Sequence, residues 1–418
     1  MNPADMYKSL QTEWNIKGQS YANAINAMIA FGETHGWNNW KDEESVDNRD
    51  HLAAEILSLL RKANKEGTID EFRTNFPPAH DPFLNNIQEQ GQSIENLCYI
   101  NDNKIAFIIG TAYEKRKAYL LTNRTVERLR DGILSIGKSH QNEIFAIAEN
   151  RSVTTYKGWG GKRICQFKLP EVDSLPITQV IPFNDGLSIL LISAEGIYLL
   201  TTAGNTMLHP VPDPDDEDWS SYIDMEHAAL SNDNSFIALG DQCSEHRILN
   251  REGKVVAEIG PQSSYPHYAL FSKDGQQVIL NSCHFYHGTT IGIPTNNIQG
   301  LKIEAYTEVD RYTVIDDNCR VYAAIATSAY YIFGDATGYI KAFDKTGKNV
   351  WRYFLGSTIT GMTISDDEKT LWVGSCSGII HTLILDIGHR DDHTIGTGNH
   401  YEQCRIIFWK NEQQPLVW

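Results

Sequence analysis

Side chains able to do chemistry gather at a few places in this 418-residue chain. The run Pro210-Val211-Pro212-Asp213-Pro214-Asp215-Asp216-Glu217-Asp218-Trp219 sets five carboxylates beside a tryptophan. Carboxylates at that density attract a basic protein, and a tryptophan beside them can anchor the contact. Asp213, Asp215, Asp216, Glu217 and Trp219 are therefore the partner-binding candidates. The same oxygens could hold calcium, although their spacing is not that of an EF-hand loop. A solvated loop stiffened by prolines explains the run without any ligand.

A second group, Asp386-Ile387-Gly388-His389-Arg390-Asp391-Asp392-His393 with His400 and Cys404, offers ligand types suited to zinc or a similar ion. Its spacing matches no closed site, and a mobile hairpin loop is the simpler expectation; whether any metal binds stays open. Cys243, Cys283 and Cys376 recur at equivalent places, but cysteine is also a common small core residue. Cys283, His284 and His287 could form a thiol–imidazole nucleophile, yet no third group orients them. Lys157-Gly158-Trp159-Gly160-Gly161-Lys162-Arg163 could stack on a nucleobase; a plain hairpin turn suits it better, and it lacks the phosphate-loop pattern. No nucleotide-binding, hydrolase or metalloprotease motif is present.

Charge narrows the classes. Lys and Arg number 36 against 53 Asp and Glu, a formal net charge of −17. Phosphate backbones require a basic face, so a general nucleic-acid binder is disfavoured. A basic protein partner is permitted, although acidity also serves solubility alone. No apolar run is long enough to span a membrane and no secretory leader is visible, so no membrane association is expected. Seven scattered cysteines do not form a secreted disulfide framework, and a cytoplasmic location is expected.

The elements that must position these groups fall into two textures. Residues 1 to about 75 read as helical. Tyr21, Ile25, Met28, Ile29 and Phe31 form an apolar stripe ending near Gly36, and Leu52, Ile56, Leu59 and Leu60 form a cleaner one over about 50–64. Trp37 and Trp40, between them, either plug the helical core or dock it onto the next domain; a partner hot spot is the alternative. Pro77 to Pro82 reads as a linker, dividing a helical domain at 1–78 from a second domain at 79–418.

Beyond it the chain turns to short strands and frequent turns. Gly334–Gly338 is a turn cluster, Tyr339–Phe343 a strand, Asp344–Gly347 a second turn, and Val350–Phe354 opens another strand. Leu230-Ser231-Asn232-Asp233-Asn234, Phe271-Ser272-Lys273-Asp274-Gly275 and Ile364-Ser365-Asp366-Asp367 share one pattern, in which Ser and Asp can bond turn amides. Small or marker residues at the ends of second strands, Gly110, Ala148, Ala194, Gly240, Asn281, Gly334 and Gly374, recur about every 44 residues. That period is the signature of a β-propeller, and seven markers imply seven blades. Residues 359–364, 370–375, 379–385 and 404–410 can supply the whole last blade; alternatively Phe83–Ile87 supplies its outer strand.

The segment Gly334 to Asp344 resembles the end of a WD repeat, with Phe343 where tryptophan is usual, and Gly374-Ser375-Cys376-Ser377-Gly378-Ile379-Ile380 resembles the same segment one blade later. Gly338 to Trp351 is also similar to the quinoprotein (PQQ)-type repeat, through Ala342, Asp344, Thr346-Gly347 and Trp351. The resemblance implies a mainly β, seven-bladed β-propeller preceded by a small helical domain. It also points towards a non-enzymatic protein-interaction module whose rim loops bind a protein partner, without a cofactor. Two alternatives stay open. One is a propeller enzyme, a quinone-dependent dehydrogenase or lactonase-like hydrolase; the other is an acidic inhibitor or neutraliser of a basic protein.

Overall fold

The computed structural model describes residues 2–41, 45–172, 175–212, 215 and 219–418. Four α-helices come first: α1 Pro3–His35, α2 Ala53–Glu66, α3 Ile69–Asn75 and α4 Leu84–Gln90. Asn2 caps α1 through its side chain, which accepts from the Asp5 amide, and Gly67 ends α2 in the left-handed conformation. Seven antiparallel sheets follow, over 94–128, 133–168, 177–209, 227–259, 265–316, 321–354 and 359–417. The chain is a seven-bladed β-propeller with an N-terminal helical segment of about 90 residues.

The period of the markers has a physical cause. Each lies in or just after the second strand of its blade, where the first strand of the next blade passes close by. A Cβ on Gly334 would meet Ile359 at 2.4 Å, and one on Gly374 would meet the Ile94 carbonyl at 2.9 Å. Both neighbours begin the innermost strand of the next blade, so only a small residue fits. The three Ser–Asp turns are also as expected. The hydroxyls of Ser231, Ser272 and Ser365 donate to Asp233, Asp274 and Asp367, and accept from the amides of Phe236, Gln277 and Thr370 at 2.9 Å.

The ring closes where strand Ile94–Asn101 lies against Ile359–Ile364, with the Thr360 hydroxyl donating to the Ile94 carbonyl at 2.8 Å. The last blade is built wholly from 359 onwards: Ile359–Ile364, Thr370–Ser375, Ile379–Ile384 and Tyr401–Ile407, with Leu416–Val417 as a fifth, outermost strand. Phe83–Ile87 is not a strand. Asp81–Phe83 is a 3-10 turn that opens on Pro82, and α4 follows it. Phe83 instead packs on Trp409 and Trp418, with ring centroids at 6.3 and 5.4 Å.

The helices and the last blade share one core. Trp14, Phe72, Phe76 and Phe83 from the helical segment bury against Ile379, Ile407, Trp409 and Trp418. Several buried polar groups at this junction are paired, although His381 Nε2, His80 Nε2 and Gln90 Oε1 have no partner among the described residues. Glu402 accepts from the His381 imidazole and the Arg405 guanidinium, both at 2.7 Å, while Arg73 donates to the Trp418 carbonyl at 2.6 Å. The far half of α1 covers the 386–400 connection. Asn26 bonds both the Thr394 carbonyl and the Gly396 amide, so this connection is pinned rather than free. Trp40 folds back onto Phe31 and Trp37 onto Gly32; Trp37 stays half exposed and neither docks on the propeller.

Blade five departs from the simple hairpin plan. Its third and fourth strands, His287–Pro294 and Thr313–Asp316, are joined by a connection that runs out to blade four. There Leu301–Ile303 pairs in parallel with Val255–Ile259 as a fifth strand, and Ile298, Leu301 and Ile303 enter the core between the two blades.

Candidate functional site: one rim of the propeller

Antiparallel hairpins put the turns between second and third strands, and the connections from blade to blade, on a single rim. Among the described residues, six of the exposed aromatic side chains lie there: Tyr113, Tyr222, Tyr265, Phe285, Tyr286 and Tyr306. The other two, Tyr7 and Trp37, belong to the helical segment. The helices lie against blades six and seven, and the six rim aromatics stay exposed to solvent.

Beneath the aromatics, buried polar groups tie the mouth of the ring together. Arg116, in the turn of blade one, donates to the carbonyls of Leu134 at 2.5 Å and Ile177 at 2.6 Å, and to the Glu95 carboxylate at 2.7 Å. One side chain thus joins the innermost strands of three blades. Burial lowers the affinity of Arg116 for its proton and raises that of Glu95, while each partner opposes the other's shift.

Across the mouth a chain of histidines does the same. A carbonyl can only accept, so the Met225 carbonyl, 3.1 Å away, fixes the proton of His227 on Nδ1. His227 Nε2 then accepts from His246 Nδ1 at 3.2 Å, leaving His246 Nε2 to accept from the Ser282 hydroxyl at 3.3 Å. By the same reasoning His267 donates from Nδ1 to the Val321 carbonyl at 2.6 Å and accepts from Arg320 at 3.3 Å. All three rings are neutral; burial pushes His227 down to about 4 and His267 to about 3, and depresses His246 strongly. Arg320 also lies over the Tyr322 ring, 4.8 Å from its centroid.

On the side of blades one, three and four the surface is acidic. Tyr113, two-thirds exposed, and Tyr222, half exposed, are near enough to act on each other's ionisation. Burial raises the Tyr113 phenol, and the acidic groups Glu226, Asp224 and Glu195 add to the shift. The Tyr222 hydroxyl donates to Asp224 at 2.8 Å, and the Ser221 hydroxyl to Glu195 at 2.7 Å. Burial, with Asp224 and Asp241 nearby, pushes the Glu226 carboxyl up to about 7.

In sequence the acidic run falls between the last strand of blade three and the first of blade four. Asp213, Asp216 and Glu217 lie outside the described residues; Asp215 is exposed in a turn and Trp219 is half-buried. The other candidates do not assemble. Among the described residues, no three His, Cys, Asp or Glu side chains meet in a way that could hold a metal ion. In the 386–404 group, His400 packs edge-on against Trp351 at 4.3 Å and Cys404 is buried in its strand. Cys243 and Cys376 are exposed and Cys283 is buried. His284 bonds Ser264 and His287 bonds Asn318, so neither forms a pair with Cys283, whose thiol burial pushes up. The 157–163 tip is a hairpin turn with Trp159 packed on Phe145 at 5.6 Å.

Sequence reasoning missed Tyr113, Tyr222, Glu226 and the histidine chain. The signal available was positional: Tyr113 follows a second strand, Tyr222 and Glu226 precede a first strand, His227 and His246 open a first and a third strand, and His267 lies near the start of a first strand.

No protein-family model matches the chain, and no curated protein matches its sequence. Among solved structures it is similar to the β-propeller domain of Cps50 (Swd1) from Myceliophteria thermophila. That match has 11% identity and a TM-score of 0.48, covering 68% of this chain and 95% of the other. The neighbour is a WD40-type propeller, and the quinoprotein-type likeness is not confirmed by it. No helix among the described residues is long and apolar enough to cross a membrane.

Proposed function

We propose that the chain is a protein-interaction module that binds a protein partner on the uncovered rim. The observation that carries this reading is the gathering of Tyr113, Tyr222, Tyr265, Phe285, Tyr286 and Tyr306 on one face. Aromatic side chains offer large contact area at small entropic cost, and they dominate binding hot spots. The Arg116 ties and the histidine chain fix the mouth beforehand, so little ordering remains to be lost on binding. The charge of the acidic run 213–218, beside Trp219 in the sequence between blades three and four, favours a basic partner. Seven unpaired cysteines accord with a reducing, cytoplasmic setting.

Affinity capture with the full chain and with a Phe285→Ser, Tyr286→Ser, Tyr222→Ser variant tests the reading. All three side chains are exposed, so the fold should survive. A stoichiometric protein retained by the native chain and lost by the variant is expected. Equal retention by both would move the site off this rim.

A further inference from the structure

We infer that the outer strand of blade two, Lys162–Lys168, accepts an extended acidic segment of a partner protein as a fifth strand, at a site separate from the aromatic rim. The ring itself shows that its outer edges take such additions. Blade four pairs Leu301–Ile303, a segment from blade five, alongside its own outer strand, and blade seven ends on Leu416–Val417. Blade six receives main-chain bonds from the 386–400 connection: the Phe354 amide donates to the Ile395 carbonyl and the Thr397 amide to the Arg352 carbonyl. Blade two has no such cover. Among the described residues Lys162–Lys168 is laddered to Ser152–Lys157 alone.

The open side of that strand belongs to Gln166 and Lys168. Neighbouring residues of an antiparallel strand turn their main-chain groups to opposite sides. The Leu169 amide bonds the Arg151 carbonyl across the hairpin at 3.3 Å, so Lys168 and Gln166 turn theirs outward. The Asn205 side chain, reaching the Lys168 carbonyl at 3.2 Å from blade three, agrees with that direction. The Gln166 carbonyl meets only the Cys165 thiol, at 4.0 Å.

Around this edge the charge has one sign. In a chain of net charge −17, residues 133–168 carry six Lys and Arg against two Glu, and Glu149 is already paired with Arg130. Arg151, Lys157, Lys162, Arg163 and Lys168 are exposed, and none pairs with a carboxylate among the described residues. Lys157 and Lys162 stand directly opposite each other, a cross-strand arrangement that costs stability until an anion offsets it. Charge discourages indiscriminate pairing at an open edge, and charge of one sign still admits a strand of the opposite sign. Charges more than about 8 Å away are largely screened at physiological salt, so the local positive sign outweighs the acidity of the whole chain.

Fluorescently labelled peptides alternating valine with glutamate or with lysine provide the test, read by anisotropy against the full chain. A third peptide repeats the glutamate sequence with every backbone nitrogen methylated, which keeps the charge and removes the main-chain donors. The glutamate peptide should bind, the lysine peptide should not, and the methylated peptide should bind about tenfold more weakly. Lys162→Glu combined with Arg163→Glu should weaken the glutamate peptide about tenfold. Lys348→Glu, which reverses an exposed charge in a turn of blade six, should change nothing. Amide hydrogen exchange should slow at Gln166 and Lys168 when the glutamate peptide is bound. Unchanged melting temperatures verify that the variants are folded. Equal binding of the methylated or the lysine peptide would overturn the inference, as would unchanged exchange along 162–168. Tighter binding of a single-stranded RNA, lost with the same double variant, would overturn it too by assigning the basic edge to nucleic acid.

Discussion

Arg116 of blade one places its guanidinium 2.6 Å from the backbone carbonyl of Ile177, the first strand residue of blade three. The bond skips a whole blade, so the mouth of the ring is held by a side chain as well as by strand packing. Arg116→Met should remove that bond, the bond to Leu134 and the countercharge of the largely buried Glu95. Breaking a buried pair on one side costs about 3–5 kcal/mol. The urea midpoint should fall accordingly. Adding Glu95→Gln to the same chain should restore part of the loss, because no buried charge is then left alone.

The neutral histidines make stability depend on pH in a fixed direction. His227 and His267 hold folded values of about 4 and 3, below the roughly 6.5 of an unfolded chain. Above pH 6.5 both states are unprotonated and the full stability is present. As pH falls from there towards 4, the unfolded chain takes up protons that the folded one refuses, and stability drops. Each such histidine contributes a slope of about 1.4 kcal/mol per pH unit in that window. His227→Asn should give a shallower slope than the native chain when urea midpoints are compared between pH 7.5 and 5.

Glu226 works in the opposite sense. Its folded value of about 7 lies above the unfolded one, so stability is lost as pH rises from about 4.5 to 7. Burial is the main cause, and the negative charges of Asp224 and Asp241 add to it. Glu226→Gln should therefore raise stability at pH 8 by about 1–3 kcal/mol and leave it nearly unchanged at pH 4. A thermal melt at both values reads the difference.

Trp14 is fully buried against Phe83 and Trp418, at 6.1 and 6.3 Å, and its indole donates to the Pro77 carbonyl at 2.9 Å. Trp14→Ala should cost about 3–5 kcal/mol. A chain starting near His80 should lose more, because Phe72 and Phe76 leave Trp418 at the same time. Trp418 would then become solvent-exposed, which a red shift of tryptophan emission and faster quenching by iodide would report.

Blade count was legible in the sequence because it depends on local rules. Gly334 and Gly374 must be small where a neighbouring strand passes, and Ser231, Ser272 and Ser365 close turns within their own few residues. The hairpin from Tyr339 to Phe343 and on to Phe354 was readable for the same reason, with Asp335 and Asp344 accepting from the turn amides. The rim was not legible. Tyr113 and Tyr222 share a rim only because the hairpins of blade one and the connection before blade four end on the same side of the ring, and nothing near either residue announces it. His227 and His246 are 19 residues apart and read as unrelated until two hairpins face the same way. Phe83 misled through its own neighbourhood: an apolar residue after Pro82 suits a strand, and only Trp409 and Trp418, more than 300 residues away, make a helical turn the better burial.

The excursion of blade five onto blade four also decides where this ring can be cut. At most junctions, severing the loop between two blades would leave them joined by side-chain packing and side-chain hydrogen bonds, without a main-chain ladder. Between blades four and five, a break at 261–264 would leave Leu301–Ile303 still laddered to Val255–Ile259 through main-chain bonds. New termini placed there, with the natural ends joined, would give a permuted chain whose opening is already laced shut. That junction is the place to split the protein into two fragments that find each other again.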